Sequence, residues 1–155
     1  MTEKNISANM RKRCQEIMTR KVTTAARAMT LREAAALMRD GDIGSLPVVE
    51  NKKLVGILTD RDIVVRAVAE GRDAAAKVGD AMTAEIFSIT EGDFVFEAIR
   101  LMGDKKVRRV PVINESNELV GIIAMADVAL ETEDEREIAE TLEEISSGNA
   151  FWKKG

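Results

Sequence analysis

Residues 31–64 read LREAAALMRDGDIGSLPVVENKKLVGILTDRDIV, and residues 95–129 read VFEAIRLMGDKKVRRVPVINESNELVGIIAMADVA. The second stretch repeats the first. Leu37 and Met38 align with Leu101 and Met102, and Pro47 and Val48 with Pro111 and Val112, at an offset of 64. After one inserted residue in the turn, Leu54-Val55-Gly56-Ile57 align with Leu119-Val120-Gly121-Ile122, and Asp62 with Asp127. The match reaches back to Met18-Thr19 and Met82-Thr83. A tandem repeat of this length is one structural unit used twice. Two such units must meet, and function is expected where they do.

Each copy reads β-α-β-β-α. In the first, a short strand is expected at 22–24. Thr30 and Glu33 have capping-box spacing, and Leu31, Ala34, Ala35 and Met38 form one apolar helical face. Gly41 suits the end of that helix. Residues 45–49 and 54–58 make a hairpin about Asn51-Lys52, and a helix follows from about 60 to 70, ended by Gly71. In the second copy Val95, Ala98, Ile99 and Met102 hold the helical face, 110–113 and 119–123 the hairpin, and Asp127 opens the closing helix.

The flanks are not repeated. Ile6, Met10, Cys14 and Ile17 are spaced as one stripe of an amphipathic N-terminal helix; Ile138, Leu142 and Ile145 do the same in the tail, whose polar side is almost all Glu. Amphipathic helices need an apolar surface to cover, either the chain's own body or a second copy. The last ten residues, SSGNAFWKKG, read either as a frayed end or as an anchor carried by Phe151 and Trp152. The chain thus divides into an N-terminal helix (1–16), repeat one (17–75), repeat two (76–131) and an acidic helix and tail (132–155). The fold class is α+β.

At 155 residues the chain is one domain or two small ones, and each repeat alone would bury a thin core, so the two are expected to pack together. No apolar run approaches the ~18 residues of a membrane span, and no signal peptide is recognisable, so a cytoplasmic protein without membrane attachment is expected. There is no histidine and one cysteine. That removes imidazole bases, serine–histidine pairs, intrachain disulfides and most transition-metal sites. No carboxylate cluster has calcium-loop spacing. Neither a catalytic residue nor a metal is expected, and the chain reads as no enzyme. The net charge of −4 hides an asymmetry: residues 3–21 carry six Lys/Arg against two Glu, and residues 131–144 eight acidic residues against one Arg. A net acidic chain with 3% aromatics is a poor nucleic-acid partner, although Arg11-Lys12-Arg13 could touch phosphates.

The order β-α-β-β-α, the S-x-P-V-V strand, the hairpin, L-V-G-I and the string Gly56-Ile57-Leu58-Thr59-Asp60-Arg61-Asp62 together resemble the CBS domain. Two in tandem resemble a Bateman module, and the resemblance covers about residues 17–131. With no catalytic domain attached, the chain is similar to stand-alone bacterial two-CBS proteins of the stress or hypoxia response. The resemblance implies a pseudo-two-fold disc, a homodimer, and two clefts between copies that bind adenosine-containing ligands such as AMP, ADP, ATP, NAD or S-adenosylmethionine. It implies a sensor rather than a catalyst.

In the resemblance Asp62 bonds ribose hydroxyls and Thr59 assists near the sugar or phosphate. The chemistry suits: a carboxylate accepts both hydroxyls of a cis-diol, and charge-assisted bonds are the stronger kind. Thr59 with Asp62 is also a helix-capping pair, a purely structural role worth ~1 kcal/mol. In copy two the string is Gly121-Ile122-Ile123-Ala124-Met125-Ala126-Asp127, where Ala124 cannot cap and offers no hydroxyl. Each family cleft is composite, so the resemblance sets Thr59 and Asp62 against Ile86, Arg108, Arg109 and Val110, and Asp127 against Val22, Gly44, Ser45 and Leu46. Arginine suits phosphate because guanidinium bonds it bidentately; Arg108 and Arg109 could equally be solvated or pair with Glu97 or Asp104. The sharp expectation is one asymmetric nucleotide site per chain built on Thr59, Asp62, Arg108 and Arg109, with a weaker one at Asp127.

Two functions remain open: a regulatory module that senses an adenine nucleotide and acts through dimer geometry or on a downstream protein, and a ligand-free dimeric interaction scaffold. The closing helices, Asp62 to Val68 and Asp127 to Leu130, are expected to form the paired face. Cys14 is expected to be buried, with a disulfide across a dimer axis as the alternative.

Overall fold

A computed structural model describes residues 11–131, with Ala139 and Glu143. The expected terminal stripes beyond these bounds (Ile6, Met10, Ile138, Leu142, Ile145) and the anchor candidates Phe151 and Trp152 lie outside the described residues. The chain forms two compact units that cut across the sequence periods. One comprises residues 21–86 and 116–119; the other, among the described residues, comprises 11–20, 87–115 and 120–131. Both combine helices with a small sheet in an α+β arrangement.

In the first unit, α2 (Leu31–Gly41) begins at a reciprocal cap: Thr30 Oγ1 accepts the Glu33 N–H at 3.1 Å, and Glu33 Oε1 accepts the Thr30 N–H at 3.3 Å. Leu31, Ala34 and Met38 turn one face into the core. The helix ends after Gly41, and Asp42 rather than the glycine takes the left-handed conformation (φ 51°). Aspartate is one of the few side chains that visits this region routinely. Strands β1 (Ser45–Glu50) and β2 (Lys53–Thr59) pair antiparallel, Ser45 opposite Thr59. Asn51 and Lys52 both have positive φ, as a two-residue type I′ turn requires. The strand expected at 22–24 is displaced: Ala25 is the residue that bridges, its N–H bonding Pro47 O and its C=O accepting the Val49 N–H, each at 2.9 Å. Ala25 is buried while Val22 and Thr24 are partly exposed, so the small side chain marks the closest approach.

After β2 the chain makes α3 (Asp60–Asp62) and passes directly into a π-helical stretch, Ile63–Val68. Its wider turn is closed by the Ala69 N–H on Val64 O at 2.8 Å. Ala67 is buried, whereas Val64, Val65 and Val68 are 58%, 45% and 66% exposed. The expected regular helix to residue 70 is therefore corrected to this wider one, followed by a turn with Gly71 at φ 77°. A short α4 (Val78–Ala81) then lays Met82 and Thr83 on β2, where Ile57 and Thr83 exchange backbone bonds of 2.9 and 2.8 Å. Gly56 sits beneath them; a Cβ there would lie 2.8 Å from Met82 Sδ and 3.0 Å from Thr83 O. Leu46, Val48, Leu58 and Val78 fill this unit's core.

The second unit repeats the plan. Its sheet has the order β3 (Ile89–Thr90), β4 (Arg109–Ile113), β5 (Leu119–Ala124), with β3 parallel to β4. α5 (Val95–Lys105) has no side-chain cap; the backbone of residues 12–14 serves instead, the Val95 N–H bonding Lys12 O and the Cys14 N–H bonding Asp93 O, both at 2.8 Å. Arg13 is extended there (φ −76°, ψ 149°), which interrupts the helix expected to run on to Ile17 and leaves α1 as one turn, Cys14–Ile17. Met18 and Thr19 then lie on β5 as Met82 and Thr83 lie on β2. Thr19 and Ile122 exchange bonds of 2.8 and 2.9 Å, and a Cβ on Gly121 would be 2.6 Å from Met18 Sδ. α6 (Met125–Glu131) starts two residues before the expected Asp127. Ile99, Met102, Val110, Ile123 and Val128 are fully buried, and Cys14 joins them. Burial, with Asp93 and Glu97 nearby, pushes its thiol up to about 12. A disulfide across a dimer axis through Cys14 is thereby corrected: its sulfur is inside.

Candidate functional site

β2 delivers Thr59 to the start of the closing helix with its backbone still extended (φ −112°, ψ 161°). Thr59 Oγ1 accepts the Asp62 N–H at 3.0 Å, and Asp62 Oδ2 accepts the Thr59 N–H at 3.0 Å. In copy two Ala124 has no hydroxyl, yet Asp127 Oδ2 still accepts the Ala124 N–H at 3.0 Å. The aspartate kept in both copies thus has a structural duty in each: it satisfies the backbone donor at the strand-to-helix junction. Capping as a reciprocal pair is not repeated, since Ala124 offers no hydroxyl. Half of the capping box survives without the threonine.

Oδ2 is committed, but a carboxylate has about four acceptor positions. Asp62 Oδ1 has the Thr83 hydroxyl at 3.5 Å, the outer limit of a hydrogen bond, and Arg66 Nε at 3.9 Å. Arg66 is turned partly away, its Nη1 donating to Met82 O at 3.0 Å. The Asp62 side chain is 13% exposed, so an incoming diol would meet one oxygen edge and replace weak contacts rather than strong ones. Asp60 lies beside it, its N–H on Gly44 O at 2.9 Å, and a Cβ on Gly44 would be 3.1 Å from Asp60 Oδ2.

Arg108 precedes β4 and Arg109 opens it; both are exposed, neither pairs with Glu97 or Asp104, and the Arg108 carbonyl accepts the Met125 N–H at 2.8 Å. Val110 and Leu46 have fully buried side chains, so they could offer a ligand only backbone. Thr59, Asp62, Ile86, Val22, Gly44, Ser45 and Leu46 all belong to the unit of residues 21–86, while Arg108, Arg109, Val110 and Asp127 belong to the other. Sequence reading did not single out Arg66 or Thr83. The i,i+4 spacing of Asp62 and Arg66 was a usable signal; Thr83 carried only its place in the repeat.

A family model for the CBS domain matches residues 14–68 and 78–134. The chain belongs to the CBS domain family. The CBS domain-containing protein YhcV of Bacillus subtilis is 37% identical over 135 residues, 87% of this chain and 96% of that protein. Hypoxic response protein 1 of Mycobacterium tuberculosis is 40% identical over 117 residues, 74% of this chain and 81% of that one. A crystal structure of Hypoxic Response Protein I with two coordinated zinc ions aligns with a TM-score of 0.71 at 38% identity, over 78% of this chain and 99% of the other. The CBS domain pair of protein MJ0100, in complex with 5′-methylthioadenosine and S-adenosyl-L-methionine, aligns at 0.67 and 27% identity over 77% and 98%. This chain has no histidine, its cysteine is buried, and the described residues hold no cluster of three possible metal ligands. Among the described residues no helix is long and apolar enough to cross a membrane.

Proposed function

We propose that this CBS pair is a regulatory module, not a catalyst, that binds an adenosine-containing ligand and works in the cytoplasm as a homodimer acting on a downstream protein. The observation that carries the reading is the state of Asp62: one carboxylate oxygen committed to the fold, the other facing only weak contacts beside the Thr59 and Thr83 hydroxyls. The MJ0100 pair, 27% identical, holds two adenosine compounds, which supports this ligand class. In this reading Asp62 accepts the ribose hydroxyls with Thr59 beside it, Arg108 and Arg109 take phosphate or another anionic group, and Ile86 and Val110 supply backbone to the base. Asp127, with Val22, Gly44, Ser45 and Leu46, makes a weaker set because Ala124 brings no hydroxyl. The exposed Val64, Val65 and Val68 support pairing through the closing helix. The 40% identity to a hypoxic response protein supports a place in a stress response.

Isothermal titration with AMP, ATP, NAD and S-adenosylmethionine tests the ligand. Asp62→Asn is the informative variant, since it retains an acceptor for the Thr59 N–H while removing the charge. If none of the four binds below millimolar, or if D62N binds as the parent does, the assignment fails. A second reading, a ligand-free dimeric scaffold, is favoured by one observation: Asp127 makes the same backbone bond without any threonine, so the repeated aspartate is accounted for by folding alone. A bound ligand raises the melting temperature by mass action, and a scaffold shows no such rise.

A further inference from the structure

A groove of about 530 Å³ runs along the first unit where α2 faces the π-helical stretch. Its floor is small and apolar: Ala35, Ala36, Ile63 and Ala67. Arg32, Arg39 and Arg72 stand on it, with Asp73 as the one acidic lining residue. Arg39 bonds Asp40 through Nε at 2.8 Å, and Arg72 lies 3.8 Å from Asp80, pairs that leave other guanidinium nitrogens free to bond. Arg32, Ala35, Ala36 and Arg39 occupy positions i, i+3, i+4 and i+7 of α2, so two arginines bracket an alanine floor about 10 Å apart along the axis. The neighbouring Val64, Val65 and Val68 are open to solvent.

The sequence contains the complement. Residues 131–144 carry eight acidic side chains against one arginine. Glu137 and Glu144 are seven residues apart, as Arg32 and Arg39 are, and Ile138, Leu142 and Ile145 make an apolar stripe at helical spacing. We propose that the groove between α2 and the π-helical stretch is the docking site for the acidic segment 131–145 of a second copy of this chain. The branched apolar side chains rest on the alanine floor, and glutamates meet the flanking arginines. The inference rests on the homodimer reading above and not on the ligand. It gives the strongly acidic segment and the arginine-flanked groove one shared purpose, clasping the dimer.

Ala36→Cys and Leu142→Cys chains, made separately, mixed and treated with a short bismaleimide, test it; Cys14 is buried and stays silent in the folded protein. The expected result is a covalent two-chain product from the mixture that neither chain gives alone. R32E/R39E weakens the dimer about tenfold at low salt, and E137K/E144K on the same chain restores it. A one-chain cross-link in A36C/L142C would show the chain's own segment in the groove and overturn the proposal. So would no cross-link in a protein that light scattering shows to be a dimer, or no restoration by the charge swap; these leave the homodimer reading standing. A monomer at micromolar concentration overturns both, and nucleotide titration of the same sample reports separately on the ligand.

Discussion

Replacing Gly121 by alanine tests the packing of the flank segments on the hairpins. The added Cβ would lie 2.6 Å from Met18 Sδ, 2.8 Å from Met18 Cγ and 2.9 Å from Thr19 O. The methionine can shift, but it is buried and moves only by displacing its neighbours. The carbonyl cannot move freely, because Thr19 and Ile122 hold each other through two backbone bonds of 2.8 and 2.9 Å. Overpacking of this kind costs ~1–3 kcal/mol, and weakening that pair adds ~1 kcal/mol. Alanine restricts the unfolded chain and returns ~0.4–1 kcal/mol. The net loss is about 1–3.5 kcal/mol, a fall in Tm of about 2–14 °C for a chain of this size. At Gly56 the corresponding contacts are longer, 2.8 Å to Met82 Sδ and 3.0 Å to Thr83 O, and Met82 is less buried, so G56A should lose less. Gly92 is the control: a Cβ there meets nothing within 4 Å. Scanning calorimetry of the three variants should rank them G121A below G56A below G92A, with G92A at or above the parent. A G121A protein melting with the parent, or a G92A protein melting as low as G121A, would refute the reasoning.

Three further outcomes are expected. Cys14 has a folded pKa raised to about 12 from 9.0, so the stability tied to its protonated thiol is complete below pH 9 and is lost as pH rises towards 12. Denaturant titrations from pH 8 to 11 should therefore show a steeper decline in the parent than in Cys14→Ala, and the native thiol should resist iodoacetamide until the protein unfolds. Asp127→Ala leaves the Ala124 N–H without its acceptor and should cost about 1 kcal/mol, measurable as a shift in urea midpoint, much as Thr59→Ala should in copy one. Arg108→Ala with Arg109→Ala should leave the melting temperature of the free protein within about 1 °C, since both are exposed surface residues. The same pair should abolish most of the salt dependence of ATP binding in titration calorimetry.

The fold was legible because the chain states it twice. The stripe Leu31, Ala34, Met38 and its counterpart Val95, Ala98, Met102 are buried as the periodicity requires, and both hairpins form where the strands were read. A period cannot reveal on which copy a flank packs: Met18-Thr19 and Met82-Thr83 stand in equivalent positions, and only tertiary contact assigns the first to β5 and the second to β2. Nor does any residue of Ile63–Val68 announce a π-helical turn; those β-branched and small side chains suit either helix, and packing chooses. At the candidate site Thr59 and Asp62 were visible from their spacing, while the Ala124–Asp127 bond was not, since half a cap has no sequence signature.

The placement of residues 12–19 also bears on how the chain comes into being on the ribosome. Thr19 bonds Ile122, and Lys12 and Cys14 bond Val95 and Asp93, so these backbone bonds wait until some eighty to a hundred further residues have been made. At ~5–20 residues per second that wait is about 4–20 s. Within residues 21–86 the Ala25–Pro47, β1–β2 and Ile57–Thr83 backbone bonds need only residues of that stretch, so it can begin to close while the segment before it still waits. Residues 12–19 therefore leave the ribosome before residues 21–86 but find these partners after them.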